Sequence, residues 1–379
     1  MFGPLEFAIV ESMDARIRLL DLSYSQLTEL FAQWAEPAFR AQQLWTWLYR
    51  DLATNFAQMT NLPQALRTRL ANEAVIDLIQ PIVELTSADG YTQKFLFRLR
   101  DRQTVETVLM GYHRRRTVCI STQVGCAMDC PFCATGQAGF ARNMTSGEIV
   151  SQVLFTARRL LVRQGPAHTP GSPSARGITN VVFMGMGEPF VNYQPTWQAV
   201  EKLTDPRGFG LGARHVTIST VGIIPGIEKF AQEHLQVNLA VSLHAPNDEL
   251  RNRLVPINRR FPLGQLMDAC RQYQRLTHRR ITFEYALMSG VNDAVEHALE
   301  LAQLLRGLTA HVNLIPLNPT AGSPLRPTTR AQVRAFREAL ERQGIPATVR
   351  IGRGLDINAG CGQLREVHAG APEALLPAH

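Results

Sequence analysis

Six cysteines in 379 residues are too few for the disulfide framework of a small secreted domain. Long apolar runs are missing too, and no stretch approaches the roughly 20 residues needed to cross a bilayer. The opening MFGPLEFAIVESMDARIRLLDLS has neither the basic start nor the apolar block of a secretory signal. These absences predict a cytoplasmic protein with no membrane attachment. Acidic residues are in the minority, 32 against 39 Lys and Arg, for a formal charge of +7. Such an excess of base points to an anionic partner, because clustered Lys and Arg attract phosphate by Coulomb steering and counterion release.

What is present is concentrated. Three of the six cysteines, Cys126, Cys130 and Cys133, fall within the eight residues CAMDCPFC. No fourth cysteine or histidine is close enough in sequence to complete a tetrahedral site. The spacing C-x3-C-x2-C on a loop lets three sulfurs converge on one soft metal centre, whereas structural zinc normally takes four protein ligands. An iron-sulfur cube held by three cysteines leaves one iron open to a substrate. The alternative is a zinc knuckle completed by a remote ligand such as His113, in an RNA-binding protein without catalysis.

The first eighty or so residues read as helical. Ser23 and Gln26 form a capping box, followed by Leu27, Leu30, Phe31 and Trp34 at helical spacing. Phe39, Leu44, Trp45, Leu48 and Tyr49 make a second stripe, with Arg40 and Arg50 on its polar side. From Ile82 to Met110 the period drops to two, which predicts three strands with Asp89-Gly90 turning the first into the second.

Beyond them, apolar β-rich runs at 117–122, 180–185, 215–220, 237–243, 281–287, 312–317 and 347–352 alternate with amphipathic segments. Helices are predicted from Thr145 with Glu148 in the box position, from Asp293 with Glu296, and from Thr328 or Thr329 to Gly344. Such alternation predicts a parallel sheet with crossover helices, open or barrel-like, and function at the carboxyl ends of its strands. The cysteine loop follows the first of these runs. The Pro, Gly and Ser-rich stretch 164–176 is expected to be mobile.

With Phe132 just before its last cysteine, the cysteine motif resembles the signature of the radical S-adenosylmethionine (radical SAM) enzymes. The resemblance extends further. TVCISTQVGCAMDCPFCATGQAGFARN, FMGMGEPFVNY, VTISTVGI, VSLHAPNDELRNRLVPINRR, VNLIPLNP and RGLDINAGCGQL are similar to successive motifs of the RlmN group of rRNA adenine C2-methyltransferases. EPAFRAQQLWTWLY is similar to that group's accessory domain. The related Cfr type, which methylates C8 of the same adenine, is the alternative within the family.

The resemblance implies an α/β fold, a partial (β/α)6 barrel with a small N-terminal helical domain. Its parts would be an RNA-binding accessory domain at 1–80, a β-meander linker at 81–111, the radical SAM core at 112–355, and a C-terminal loop and tail at 356–379 bearing a catalytic cysteine. It implies one 4Fe-4S cluster on Cys126, Cys130 and Cys133, and S-adenosylmethionine, two molecules per turnover. Gly187, Glu188, Ser219, Ser242, Leu243, His244 and Asn318 match the positions that contact S-adenosylmethionine. The substrates implied are adenine 2503 of 23S rRNA and adenine 37 of tRNA, with flavodoxin or ferredoxin as electron donor to a monomeric enzyme.

C2 of adenine lies between two ring nitrogens and is too electron-poor to attack a sulfonium methyl, so a radical addition is required. By resemblance, Cys361 carries the methyl group, its methylene radical adds to C2, and Cys119 attacks the cross-linked sulfur to free the product and leave a disulfide. Glu106 matches the proton acceptor; in the period-two pattern QTVETVLM it could equally face water on a strand edge. Cys270, on an amphipathic helix, reads as core. Basic clusters at 113–116, at Arg251, Arg253, Arg259 and Arg260, and at His278, Arg279 and Arg280 are candidates for RNA contact.

Overall fold

The computed structural model describes residues 16–76, 78–113, 115–164, 177–320, 323–350 and 354–357. The stretch 165–176, Cys361 and the tail lie outside the described residues.

Three helices, α1 (Tyr24–Gln33), α2 (Ala38–Tyr49) and α3 (Gln64–Glu73), open the chain. The predicted capping box is present in α1: Ser23 Oγ accepts the Gln26 amide at 3.2 Å, and Gln26 Oε1 accepts the Ser23 amide at 2.8 Å. Leu27, Phe31, Leu44, Trp45, Leu48 and Tyr49 are buried as the stripes require. Phe39 is not. In the first turn of α2 it is 55% exposed, with the Arg40 guanidinium 4.6 Å from its ring centre. The buried face of α2 begins at Ala41.

The meander strands are β1 (Ile79–Thr86), β2 (Thr92–Leu99) and β3 (Thr104–Gly111). They run straight into a ten-stranded sheet, because β3 pairs antiparallel with β4 (Arg116–Cys119) and sets Val108 opposite Cys119. From β4 onward the pairing is parallel, through β7 (Asn180–Phe183), β8 (Val216–Thr220), β9 (Asn238–Ser242), β10 (Ile281–Leu287), β11 (Ala310–Pro316) and β12 (Ala347–Val349). A small antiparallel pair, β5 (Gln123–Gly125) and β6 (Phe140–Asn143), stands apart and brackets the cysteine loop. Between them lies the short helix α4 (Ala134–Gln137).

Crossover helices α5 (Ser146–Gln164), α6 (Tyr193–Thr204), α7 (Ile224–Phe230), α8 (Asp248–Leu254), α9 (Leu263–Thr277), α10 (Val295–Leu304) and α11 (Arg330–Arg342) complete the α/β fold. It is the partial (β/α)6 barrel expected. Alternation along each strand separates two faces. Ile218, Leu239, Val241, Phe283 and Leu314 belong to the main apolar core, which continues without a break into the N-terminal helices. The opposite, inner face carries Cys119, Val182, Ser219, Ser242, Glu284 and Asn313, aligned through the strand register.

Thr145 and Glu148 form the predicted box at the start of α5, each accepting the other's amide, at 3.2 and 2.9 Å. Two helix starts are refined. Helix α10 begins at Val295, because the Asp293 carboxylate is engaged elsewhere, accepting the Gly290 amide at 3.0 Å and the Thr328 hydroxyl at 2.5 Å. That leaves Thr329 to cap α11, accepting the Gln332 amide at 3.2 Å.

Candidate active site at the carboxyl ends of the strands

The loop after β4 is anchored on both sides. Ser121 Oγ donates to the Glu106 carbonyl of β3 at 2.7 Å and accepts the Met186 amide at 2.9 Å. Gln152, buried on α5, donates to the Ser121 carbonyl and accepts its amide. Asn192 donates to the carbonyls of Thr122 and Met144, both at 2.8 Å. The Cys126 amide donates to the Gly139 carbonyl at 2.8 Å, closing the loop that holds the three cysteines. Gly125 sits at φ +76, and a Cβ there would collide with the Gly139 carbonyl, so the close approach requires glycine.

Cys130 is buried beside Leu250, Leu254 and Val255, while Phe132 and Cys133 pack at the edge of the same apolar cluster. Burial pushes the Cys126 thiol up to about 12, with Cys133, Glu188 and Asp129 adding to the effect and the Met128 backbone opposing it. The Cys130 thiol is raised as well, by burial and then by Cys133 and Cys126. The three sulfurs are thus mutual electrostatic neighbours. Among the described residues no three Cys, His, Asp or Glu side chains are placed to hold a metal ion as they stand. The donor set nonetheless fits an iron-sulfur cluster, since buried soft thiolates that repel one another gain most from a shared cationic core. His113 lies before the first residue of β4 and the cysteines lie beyond its last, so the strand separates them along the chain.

Glu188 is 2% exposed. Its Oε2 accepts the Val221 amide at 2.8 Å and its Oε1 the Phe190 amide at 3.0 Å. Burial pushes its carboxyl up to about 7, against the pull of those amides. Gly187, at φ +100, packs its Cα so closely on Gln123 that a Cβ would stand 2.5 Å from the Gln123 Cβ. Gln123 in turn accepts the Glu188 amide at 2.7 Å.

Ser219 and Ser242, at neighbouring strand ends, place their hydroxyls 3.2 Å apart. Leu243 is wholly buried in the core; its amide donates to the Glu284 carbonyl at 3.0 Å and its carbonyl accepts from Arg251 Nε at 3.1 Å. His244 is held at φ +61. Its Nδ1 accepts the Ala286 amide at 3.0 Å, so the ring proton sits on Nε2. Burial, helped by Arg251, lowers its pKa to about 3, and the ring is neutral with Phe132 edge-on at 4.8 Å. Asn318 is half-buried, two residues past the end of β11. All of these residues therefore gather at the carboxyl end of the sheet.

Cys119 is the last residue of β4, 6% exposed, and packs with Val108, Met110, Val182 and Met184 on the inner face. Glu106 is not at a watery edge. It is 4% exposed on the strand beside Cys119, with Lys94 Nζ 3.6 Å from its Oε2. Cys270 is wholly buried core, and burial pushes its thiol up to about 12.

Sequence patterns did not single out Lys94, Gln152, Asn192, Glu284 or Arg350. Glu284 and Arg350 interrupt otherwise apolar stretches, the only trace they leave before the strands are paired; Lys94, Gln152 and Asn192 have polar neighbours and leave none. Glu284 on β10 accepts from Asn313 at 2.7 Å, and burial raises its carboxyl against the opposing influence of Arg350. One basic candidate is reassigned. Arg251 has no exposed surface, whereas Arg253, Arg259 and Arg260 are exposed.

A parallel barrel with a three-cysteine loop after its first strand defines a radical SAM enzyme. Residues 172–302 match the radical SAM superfamily, and residues 17–76 match the ribosomal RNA large subunit methyltransferase N-terminal domain. A relative from Chloroflexus aurantiacus, named probable dual-specificity RNA methyltransferase RlmN, is 51% identical over 93% of this chain and 93% of its own. Another from Myxococcus xanthus, named dual-specificity RNA methyltransferase RlmN 1, is 48% identical over 93% and 95%. The crystal structure of a radical SAM methyltransferase from Sphaerobacter thermophilus superposes with a TM-score of 0.86 at 50% identity, over 92% of this chain and 98% of that one. The chain belongs to the RlmN family of radical SAM RNA methyltransferases. A 4Fe-4S cluster and S-adenosylmethionine are the cofactors this family implies. Among the described residues no helix is long and apolar enough to cross a membrane.

Proposed function

We propose that the chain methylates C2 of adenine 2503 in 23S rRNA, and of adenine 37 in tRNA, with Cys361 as methyl carrier and Cys119 as resolving thiol. The observation that carries this reading is the position of Cys119: a thiol on the inner face, outside the metal loop, next to the strand that bears Glu106.

When bound, the cluster and S-adenosylmethionine supply the methyl group and the one-electron chemistry, two molecules of the latter per turnover. Cys126, Cys130 and Cys133 hold the cluster. The Glu188 carboxylate takes the ammonium group of S-adenosylmethionine, and Gly187, Ser219, Ser242, Leu243, His244 and Asn318 line the remainder of its site. Neutral His244 donates from Nε2. Cys361 would accept a methyl group. Once that group has lost one hydrogen atom to the one-electron chemistry, its carbon would bond to C2. The surplus electron would return to the same chemistry as Glu106 takes the C2 proton. The Cys119 thiolate would then attack the Cys361 sulfur, so that the sulfur–carbon bond breaks, the carbon takes up a proton to become methyl and a disulfide is left between the two cysteines.

RNA is gripped by the accessory helices, residues 1–80, and the adjoining meander, residues 81–111, ahead of the core at 112–355 and the catalytic loop at 356–379. A cavity of about 920 Å³ lined by Ile79, Arg98, Arg100 and Arg102, beside one of about 340 Å³ lined by Arg16 and Arg100, supports this assignment. The enzyme works as a monomer in the cytoplasm and takes electrons from flavodoxin or ferredoxin.

Anaerobic assay on 23S rRNA fragments and tRNA, with mass-spectrometric mapping of the product, tests the reading. 2-Methyladenosine is expected, and 8-methyladenosine as sole product sinks it. Reconstitution should give a brown protein with a broad visible band; a colourless protein holding zinc defeats the enzyme reading itself.

A further inference from the structure

Arg251 is among the largest fully buried side chains of the described residues, and nothing in the reaction outlined above uses it. It projects from α8 with no exposed surface. Its Nε donates to the Leu243 carbonyl at 3.1 Å, its Nη1 to Asn258 Oδ1 at 2.7 Å, and its Nη2 to the carbonyls of Val221 at 2.6 Å and Ser242 at 3.3 Å. All four acceptors are neutral oxygens. The nearest carboxylate in this network, Asp248, reaches it only through Asn258, whose Nδ2 donates to Asp248 Oδ1 at 2.8 Å.

A buried guanidinium without a directly bonded carboxylate carries a desolvation cost that carbonyl dipoles offset only in part. A neutral side chain could tie loops together without that cost. The charge therefore calls for something anionic nearby to act on, and the surroundings supply it. Cys130 packs on Leu250 and Leu254, the helical neighbours of Arg251. Val221, whose carbonyl accepts from Arg251 Nη2, packs against the same cluster, so the guanidinium is tied directly to the wall that holds Cys130. The loops bonded to Arg251 carry Val221, whose amide binds Glu188, and the segment from Ser242 to His244.

We infer that Arg251 is a positioning residue that sets the electrostatics of the three-cysteine centre, favouring its reduced state, while locking the two strand-end loops that frame the S-adenosylmethionine site. The inference rests on the iron-sulfur reading above. One-electron reduction by a low-potential flavin or iron-sulfur donor adds negative charge to a centre already ringed by thiolates. A fixed cation in a low-dielectric wall stabilises that added charge and raises the reduction potential.

The test is an anaerobic redox titration of the reconstituted full-length protein, followed by electron paramagnetic resonance, for wild type, Arg251→Gln, Arg251→Met and Arg251→Lys, alongside thermal unfolding of each. Loss of charge should lower the ratio of reduced to oxidised cluster at least tenfold at a fixed donor potential, a shift of about 59 mV to more negative values for one electron. Arg251→Lys should return the potential toward wild type even where its melting temperature falls, since it keeps the charge and loses most of the fork. Equal potentials in all variants, with stability alone reduced, make Arg251 a structural tie and overturn the inference. Should Gln and Met fail to fold, Arg251→Lys is titrated across the pH at which its ammonium loses its proton: its potential should drop below that of wild type there, and a potential that tracks wild type at every pH overturns the inference. Failure of the wild type to take up a cluster would instead strike the underlying iron-sulfur reading.

Discussion

Lys94 Nζ lies 3.6 Å from Glu106 Oε2, and both side chains are buried on the inner face, one and two strands from Cys119. Lys94 stands opposite Val108, which in turn stands opposite Cys119. The two charges thus form a buried ion pair within the wall that carries Cys119.

Replacing Glu106 with Leu should destabilise the fold by about 3 to 5 kcal/mol, because it strips a buried ammonium of its counter-charge. Adding Lys94→Met should restore most of that loss. The double variant separates folding from chemistry: it should melt near the wild type in a denaturant titration and yet form no methylated adenine.

Cys119→Ala should trap a covalent protein–RNA adduct, since no thiol remains to attack the Cys361 sulfur. Denaturing gel electrophoresis with labelled RNA will show a slow band, and free methylated product should fall by at least about a hundredfold. Normal release of product by this variant would remove Cys119 from the mechanism.

With Glu188 in the proposed role, cofactor affinity depends on pH. Its carboxyl is pushed up to about 7, so acidification through that value protonates it and removes the acceptor for an ammonium group. On the acid limb, S-adenosylmethionine affinity measured by calorimetry should therefore fall roughly tenfold per pH unit below about 7. In Glu188→Gln the affinity should be low and flat with pH.

Gly187→Ala should weaken S-adenosylmethionine binding by at least about tenfold and cost on the order of 2 kcal/mol of stability. The added Cβ meets Gln123, whose side chain holds the Glu188 amide, at a backbone angle suited to glycine. Calorimetry and thermal melts report the two effects.

Lys202 fastens the N-terminal segment to the barrel. Its Nζ donates to the carbonyls of Leu20 at 2.6 Å and Asp21 at 3.0 Å, and to Ser146 Oγ at 2.7 Å. Burial lowers its pKa from 10.5 to about 8. Between those values the unfolded chain binds the proton that the folded chain has released, so this residue makes stability rise with pH there, by up to roughly 3 kcal/mol. Denaturation curves of wild type and Lys202→Met across that range should differ by this slope; parallel curves would show that Lys202 keeps one charge state in both.

Spacing along the chain was enough to determine the alternation of strands and helices, the capping boxes of α1 and α5, and the three-cysteine loop after the first parallel strand. These are local or periodic properties, written within a few residues of one another. Pairing partners carry no such mark. Glu106 became an inner-face acid only when β2 and β3 put Lys94 beside it, and Asp293 lost its role as a helix cap to a hydroxyl 35 residues away. Arg251, one of a run of arginines that looked like a surface for RNA, turned inward because three carbonyls from two strand ends converge on it. Composition and period report what each residue prefers on average. Burial and charge are set by neighbours distant in sequence, and those only the tertiary structure brings together.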